Sequence, residues 1–151
     1  MSELLAIYLT PMGGSPMQAV EQAEALSGLG LAGDRYALGH GTWSAKPQWH
    51  SEITLIECEA LAALEREKGL VLAPGAHRRN LVTRGVALNH LVEREFTIGV
   101  VRLLGLRLCE PCKYLDEKTE HGVRDALVHR GGLRAQVLQG GLLRIGDPIV
   151  F

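Results

Sequence analysis

Glycine constrains this chain more than any other residue type. Eighteen of the 151 residues are Gly, and they punctuate short Val, Ile and Leu runs. Glycine supplies tight turns and positive φ, so this spacing predicts many short strands joined by turns. Aromatic residues make up only 5%, so the core must be built from aliphatic side chains. The length suits a single domain with one continuous core. The formal net charge of −1 argues against a nucleic-acid partner, which usually leaves a basic surplus. No stretch approaches the roughly 18 apolar residues of a membrane span. The N-terminal "MSELLAIYLT" carries Glu3 and no basic segment, unlike a signal peptide. Three cysteines without an export signal imply reduced thiols and a cytoplasmic protein.

Along the chain, residues 4–10 read as a buried opening strand. Ser15-Pro16-Met17-Gln18 has capping-box form, which predicts a helix ending near Gly28, although a strand entering "GLGLAGDRY" also fits. "SEITLIE" (51–57) predicts a strand, and residues 57–69 a helix with Ala60, Leu61 and Leu64 on its apolar face and Gly69 as C-cap. Phe96, Ile98 and Val100 alternate, as do Leu104, Leu106 and Leu108, with Gly105 placed for a bulge. "GVRDALVHRGG" predicts a short helix, and "LRAQVL", "QGG" and "LLRIGDPIVF" a hairpin-like pair. Together these predict a mainly β protein, a closed or nearly closed barrel with a few short inserted helices.

The chemistry concentrates in "CEPCKYL" (109–115). A redox C-x-x-C belongs at a helix N-terminus, and no apolar helical period follows Cys112 until Val123. Structural zinc needs four ligands, and no second C-x-x-C is present; His121 and His129 are the residues that would have to complete it. Pro111 favours an extended Glu110, which puts Cys112 on a loop just past a strand end, where a thiol is reachable. Glu110 would raise its pKa and Lys113 would lower it. Cys58 and Cys109 read more readily as small core residues.

A second cluster is "HRRN". The guanidinium forks of Arg78 and Arg79 match phosphate or carboxylate oxygens, and Asn80 adds an amide. Adjacent residues of an extended chain face opposite ways, so both arginines reach one anion only if the backbone turns there. A pair of solvated arginines with acidic partners explains the same residues. Asp34 of "GDRY" reads as a turn residue, and Arg35 matters if it faces the same cavity. His40, His50 and the tryptophans of residues 40–50 are candidates for a pocket mouth, though each alone suits a surface or packing role. No phosphate-loop or dinucleotide motif is present.

In order, "GLGLAGDRY", "RRNLVTRGVALNHL", "FTIG", "CEPCKYL", "HRGGLRAQVLQGG" and "IGDPIV" resemble the MOSC domain, found at the C-terminal end of molybdenum cofactor sulfurases and alone in small bacterial proteins. The likeness runs from about Gly30 to the C-terminus within one domain, 1–151. It implies a MOSC-type β-barrel and one functional cysteine, here Cys112. That cysteine would carry sulfur as a persulfide or ligate molybdenum of the molybdopterin cofactor. Arg78, Arg79 and Asn80 would anchor the cofactor's anionic end, with Arg35 and Lys113 helping electrostatically. No pyridoxal-phosphate domain fits in this chain, so a cysteine desulfurase or other donor would supply sulfur. Two other readings stand: a molybdenum-dependent reductase of N-hydroxylated compounds served by an electron-donor protein, and a module that binds a small anion or protein without turnover. This chain has "HGTWS" where many small members have "HGG", which weakens any role for His40.

Overall fold

Short strands and glycine turns dominate the computed structural model, which describes residues 1–42, 44–45, 50–111, 113–119 and 121–151, with the backbone alone at 113, 114 and 116. The strands are β1 (Glu3–Leu9), β2 (Gln18–Val20), β3 (Gln22–Leu26), β4 (Gly30–Leu31), β5 (Ile53–Glu57), β6 (Leu81–Arg84), β7 (Glu95–Ile98), β8 (Val101–Leu108), β9 (Leu133–Gln139), β10 (Gly141–Arg144) and β11 (Ile149–Val150). Among the described residues four α-helices, α1 (Arg35–Leu38), α2 (Cys58–Lys68), α3 (Lys113–Lys118) and α4 (Val123–Ala126), and one 3-10 turn (Leu88–Leu91) interrupt them. None of the described helices is long and apolar enough to cross a membrane.

Eight strands form one mixed sheet in the order β11-β7-β8-β9-β5-β6-β1-β2, and β10-β3-β4 form a second. The pair β5–β6 is parallel, with α2 lying between the two strands in the chain. A parallel pair needs such a crossover and is normally covered on both faces. Accordingly Ile53, Leu55 and Ile56 are all buried. Ile53 and Leu55 join the inner core with Leu4, Ile7, Leu81, Phe96 and Leu103. Ile56 and Val82 pack outward on Ala60 and Leu64 of α2 and on Val123 and Leu127 at α4. The predicted helices at 57–69 and after Gly122 therefore form, and each covers the outer face of the sheet.

The ends of the large sheet approach one another. Leu4 N–H donates to Asp147 O at 3.0 Å and Ile149 N–H to Ser2 O at 2.9 Å. Glu3 and Pro148 form an isolated bridge there. The described residues thus give a mainly β fold with a large mixed sheet, and no continuous ladder closes it into the expected barrel.

Four local expectations are corrected. Residues 15–28 form β2 and β3 rather than a helix, because Ile7–Leu9 and the segment Gly141–Arg144 offer them pairing partners. β10 pairs with β3, so β9 and β10 are no hairpin; β9 lies between β8 and β5 instead. Val100 sits exposed in the β7–β8 turn, and the inward-facing set of β8 is Val101, Leu103 and Gly105, so Leu104, Leu106 and Leu108 stay half-buried. Finally, α3 begins at Lys113, directly after the cysteine pair, where no helix was expected. Its one fully described buried apolar side chain, Leu115, is too little to register as a period.

Gly132, at φ 113°, lies where a Cβ would collide with the Leu55 carbonyl. Gly69, the α2 C-cap at φ 67°, has nothing within 4 Å of that position. Gly132→Ala should therefore cost about 3 kcal/mol or more, and Gly69→Ala only about 1 kcal/mol. Urea denaturation of the two variants checks the ordering.

Candidate functional site

The motifs singled out in the sequence converge where β8 ends and β9 begins. Arg79 is 8% exposed. Its Nε donates to Gly131 O at 2.9 Å, Nη2 to Cys109 O at 2.9 Å and Nη1 to His77 O at 3.2 Å. Cys109 N–H donates to Gly132 O at 2.7 Å. A side chain on Gly131 would crowd Cys109 O and the Pro111 ring, so "HRGG" must pass bare beneath "CEP". One guanidinium thus ties "HRRN", "HRGG" and "CEP" into a single junction.

Arg78 goes elsewhere. Its φ of 66° turns the backbone between the two arginines, and Arg78 Nη1 donates to Ser15 O. With Lys118, whose Nζ donates to Gly14 O at 3.3 Å, Arg78 lines a cleft of about 260 Å³ walled by Pro16, Met17 and Pro74. Arg35 is buried below this turn. Its Nη2 donates to the Arg78 carbonyl at 3.1 Å and its Nη1 to Asp34 at 3.1 Å, and it stacks 4.2 Å above the Tyr36 ring. Asp34 caps α1 and accepts from the Thr10 amide at 3.1 Å. Asn80 is fully buried: its Oδ1 accepts from Thr54 N–H at 3.1 Å and its Nδ2 donates to Tyr8 O at 3.1 Å. It links β5, the start of β6 and β1. The structure therefore brings Arg79 to the cysteine segment, sets Arg78 at an adjoining cleft, and gives Arg35 and Asn80 interior bonds.

Cys112 lies outside the described residues, as do the Lys113 side chain and both tryptophans. Their chain neighbours are described. Cys109 is 2% exposed, Pro111 is half-buried, and α3 follows at Lys113. Glu110 turns toward His129, accepting from its amide at 2.9 Å and pairing with Nδ1 at 3.3 Å. Cys58 stands at the start of α2, and burial pushes its thiol up to about 11. His40 is exposed, and His50 pairs with the buried Glu52 at 3.0 Å. Among the described residues, no group of three or more His, Cys, Asp or Glu side chains gathers to hold a metal.

Sequence reasoning missed Arg107 and Arg134. They sit opposite one another on β8 and β9. Burial, then the Arg134 charge, lowers the Arg107 pKa, while the nearby Cys109 thiol opposes the shift. The available signal was Arg107 two residues before Cys109, yet only the strand pairing reveals Arg134 as its neighbour.

His77 links the junction to an apolar cleft of about 280 Å³ between β1, α2 and residues 71–77. Its Nδ1 accepts from Arg79 N–H at 3.0 Å, and burial, aided by the Arg79 charge, holds the imidazole down to about 4.

These features define a small MOSC-type domain with a cationic junction around one cysteine segment. A family model for the MOSC domain matches residues 33–150, and the chain belongs to that family. Its fold is similar to that of YuaD from Bacillus subtilis, with a TM-score of 0.79 at 18% identity, covering 99% of this chain and 94% of that one. YiiM from Geobacillus stearothermophilus aligns over 99% of this chain and 74% of its own, with a TM-score of 0.74 at 14% identity. YiiM from Escherichia coli gives 0.68 at 19% identity, covering 99% and 69%. No curated protein sequence matches the chain.

The His77 environment makes a pH prediction. The unfolded imidazole titrates near its ordinary value of 6.5 and the folded one at about 4, so the unfolded chain takes up a proton first as pH falls. The His77 contribution is full above about pH 6.5 and is lost progressively toward pH 4, amounting to roughly 3 kcal/mol. Denaturation midpoints across that range should fall more steeply for the wild type than for His77→Gln.

Proposed function

We propose that this protein acts in molybdenum-cofactor or metal–sulfur chemistry through the thiol of Cys112, which carries sulfur as a persulfide or ligates molybdenum. What supports the reading is the junction itself: Arg79 fastens the segment leading into Cys112 to two other motifs of the family, through the carbonyls of Cys109 and Gly131. A thiolate suits either role, as the nucleophile that accepts sulfane sulfur and as a soft ligand for a transition metal. A positive charge beside it would favour that thiolate electrostatically. The finer fold assignment belongs to the same reading: the bonds of Leu4 and Ile149 across the sheet ends fit a MOSC-type β-barrel. The free thiols of Cys58 and Cys109 suit a reducing cytoplasm.

The donor set fits the anionic end of a molybdopterin cofactor. Arg78 and Lys118 line a cleft beside the Arg79 junction, and guanidinium forks match phosphate oxygens in bidentate fashion. In that arrangement Arg78 would grip the anionic end, Lys118 would add positive charge, Lys113 would be a further cation from the sequence, and Arg35 and Asn80 would hold the turn that presents Arg78. The cofactor, when bound, would supply a redox-active molybdenum centre. Arg79 would keep the cysteine segment at a fixed distance from that cleft. The sulfur donor, a desulfurase or another persulfide protein, or else an electron donor, would be a separate partner.

Anaerobically purified wild type and Cys112→Ser should be compared by cyanolysis for sulfane sulfur and by elemental analysis for molybdenum. Sulfane sulfur that disappears in Cys112→Ser supports a carrier. Stoichiometric molybdenum with pterin fluorescence, again lost in the variant, supports a cofactor enzyme. Neither signal in the wild type, with biological activity surviving in Cys112→Ser, would overturn the proposal in favour of a binding module.

A further inference from the structure

The apolar cleft of about 280 Å³ beside His77 takes no part in the junction, yet its wall contains a buried hydrogen-bond donor. Ala6 and Val82 of the sheet, Leu61 and Leu64 of α2, and Leu72 of the segment after α2 line it. All five belong to the outer hydrophobic cluster. Gly75 lets that segment lie close, since at its φ of 78° a Cβ would press on the Tyr8 ring. The cavity is thus framed by three parts of the fold.

The two nitrogens of His77 have different tasks. Nδ1 accepts from the Arg79 amide at 3.0 Å. In a neutral imidazole the other nitrogen must then carry the proton. The ring is neutral at pH 7, because burial, aided by the Arg79 charge, holds it down to about 4. Nε2–H is therefore a fixed donor, and it makes no hydrogen bond with any described residue. His77 as a whole is only 3% exposed. Among the described residues, however, the one sealed side-chain polar atom without a partner is Thr83 Oγ1. Nε2 therefore keeps an opening, and the cleft is the cavity that His77 lines.

A donor set in an apolar wall selects a ligand with one acceptor and little other polarity. Charge narrows the class further. The neutral imidazole offers an anion no compensating charge, and the Arg79 guanidinium is committed to three carbonyls. Glu65, an exposed carboxylate, also borders the cleft and repels an anion. We propose that this cleft binds a small, neutral, largely apolar molecule whose carbonyl oxygen accepts from His77 Nε2–H. The site goes beyond the thiol chemistry and needs neither Cys112 nor the Arg78–Lys118 cleft.

Amide-resolved NMR titrations test it, with acetophenone, ethylbenzene and benzoate as probes. Acetophenone should shift amides of α2 and of residues 71–77. It should bind about fivefold or more tightly than ethylbenzene, which has the same ring without the acceptor. Benzoate should bind more weakly than acetophenone. His77→Phe should bring acetophenone down to the level of ethylbenzene. Ala62→Trp, at an exposed α2 position bordering the cleft, should abolish binding of both while leaving His77 in place. The proposal is overturned if acetophenone shifts no resonance of the cleft, or if ethylbenzene or benzoate binds the wild type as tightly. Unchanged acetophenone binding in Ala62→Trp would overturn it as well. So would imidazole nitrogen shifts that place the proton on Nδ1 at pH 7, a measurement that needs no variant. Cys112→Ser, lacking sulfane sulfur and molybdenum, should bind acetophenone as the wild type does, which separates this site from the thiol chemistry; loss of binding there would contradict it.

Discussion

Arg79 is a buried cation whose partners are three backbone carbonyls rather than a carboxylate. Such a group is costly to desolvate, and leaving it unsatisfied would cost several kcal/mol. The fold meets that cost by bringing Cys109, Gly131 and His77 to one guanidinium, so the requirements of the arginine fix three loop segments relative to one another. Its amide donates to the His77 ring, so the same residue also sets which imidazole nitrogen is the acceptor. The position of the cysteine segment and the packing of "HRGG" beneath it follow from this one side chain, whose charge also adds to the burial that holds the His77 pKa down.

Much of the frame could be read directly in the sequence, where the determinants were local. The strand expected at 51–57 forms over Ile53–Glu57, and the helix expected at 57–69 forms over Cys58–Lys68 with Gly69 as its cap, because both depend on short-range patterns. The bulge at Gly105 was legible too. What failed depended on distant pairing. Residues 15–28 carry a real capping signature, yet β2 and β3 gain ladder bonds from β1 and β10 that no local pattern announces. A hairpin was inferred at "QGG" from turn chemistry alone, but β9 finds β5 and β8 instead. Helix α3 carries too little described apolar surface to show a period.

The candidate site was legible in part for the same reason. Arg79 and the cysteine segment were identified as separate motifs, and the structure joins them. The adjacency of Arg78 and Arg79 suggested one anion site, but the positive φ at Arg78 sends the two side chains to different tasks. Asn80, read in the sequence as an amide for the same anion, is a fully buried link between strands. Arg134 could not be associated with Arg107 without the β8–β9 register. A family likeness names the motifs, while pairing and burial decide which of them face a ligand.

The account turns on Cys112 being the reactive thiol, and the other two cysteines give internal standards. Cys109 is 2% exposed, and Cys58 is pushed up to about 11, so neither should be nucleophilic in the native protein at neutral pH. The most direct measurement is time-resolved alkylation with iodoacetamide at pH 7, with each site located by peptide mass spectrometry. The account predicts label on Cys112 first, on Cys58 only as the pH is made strongly alkaline, and on Cys109 only after unfolding. Native protein that labels at Cys58 or Cys109 as fast as at Cys112, or that leaves Cys112 unmodified, would contradict it.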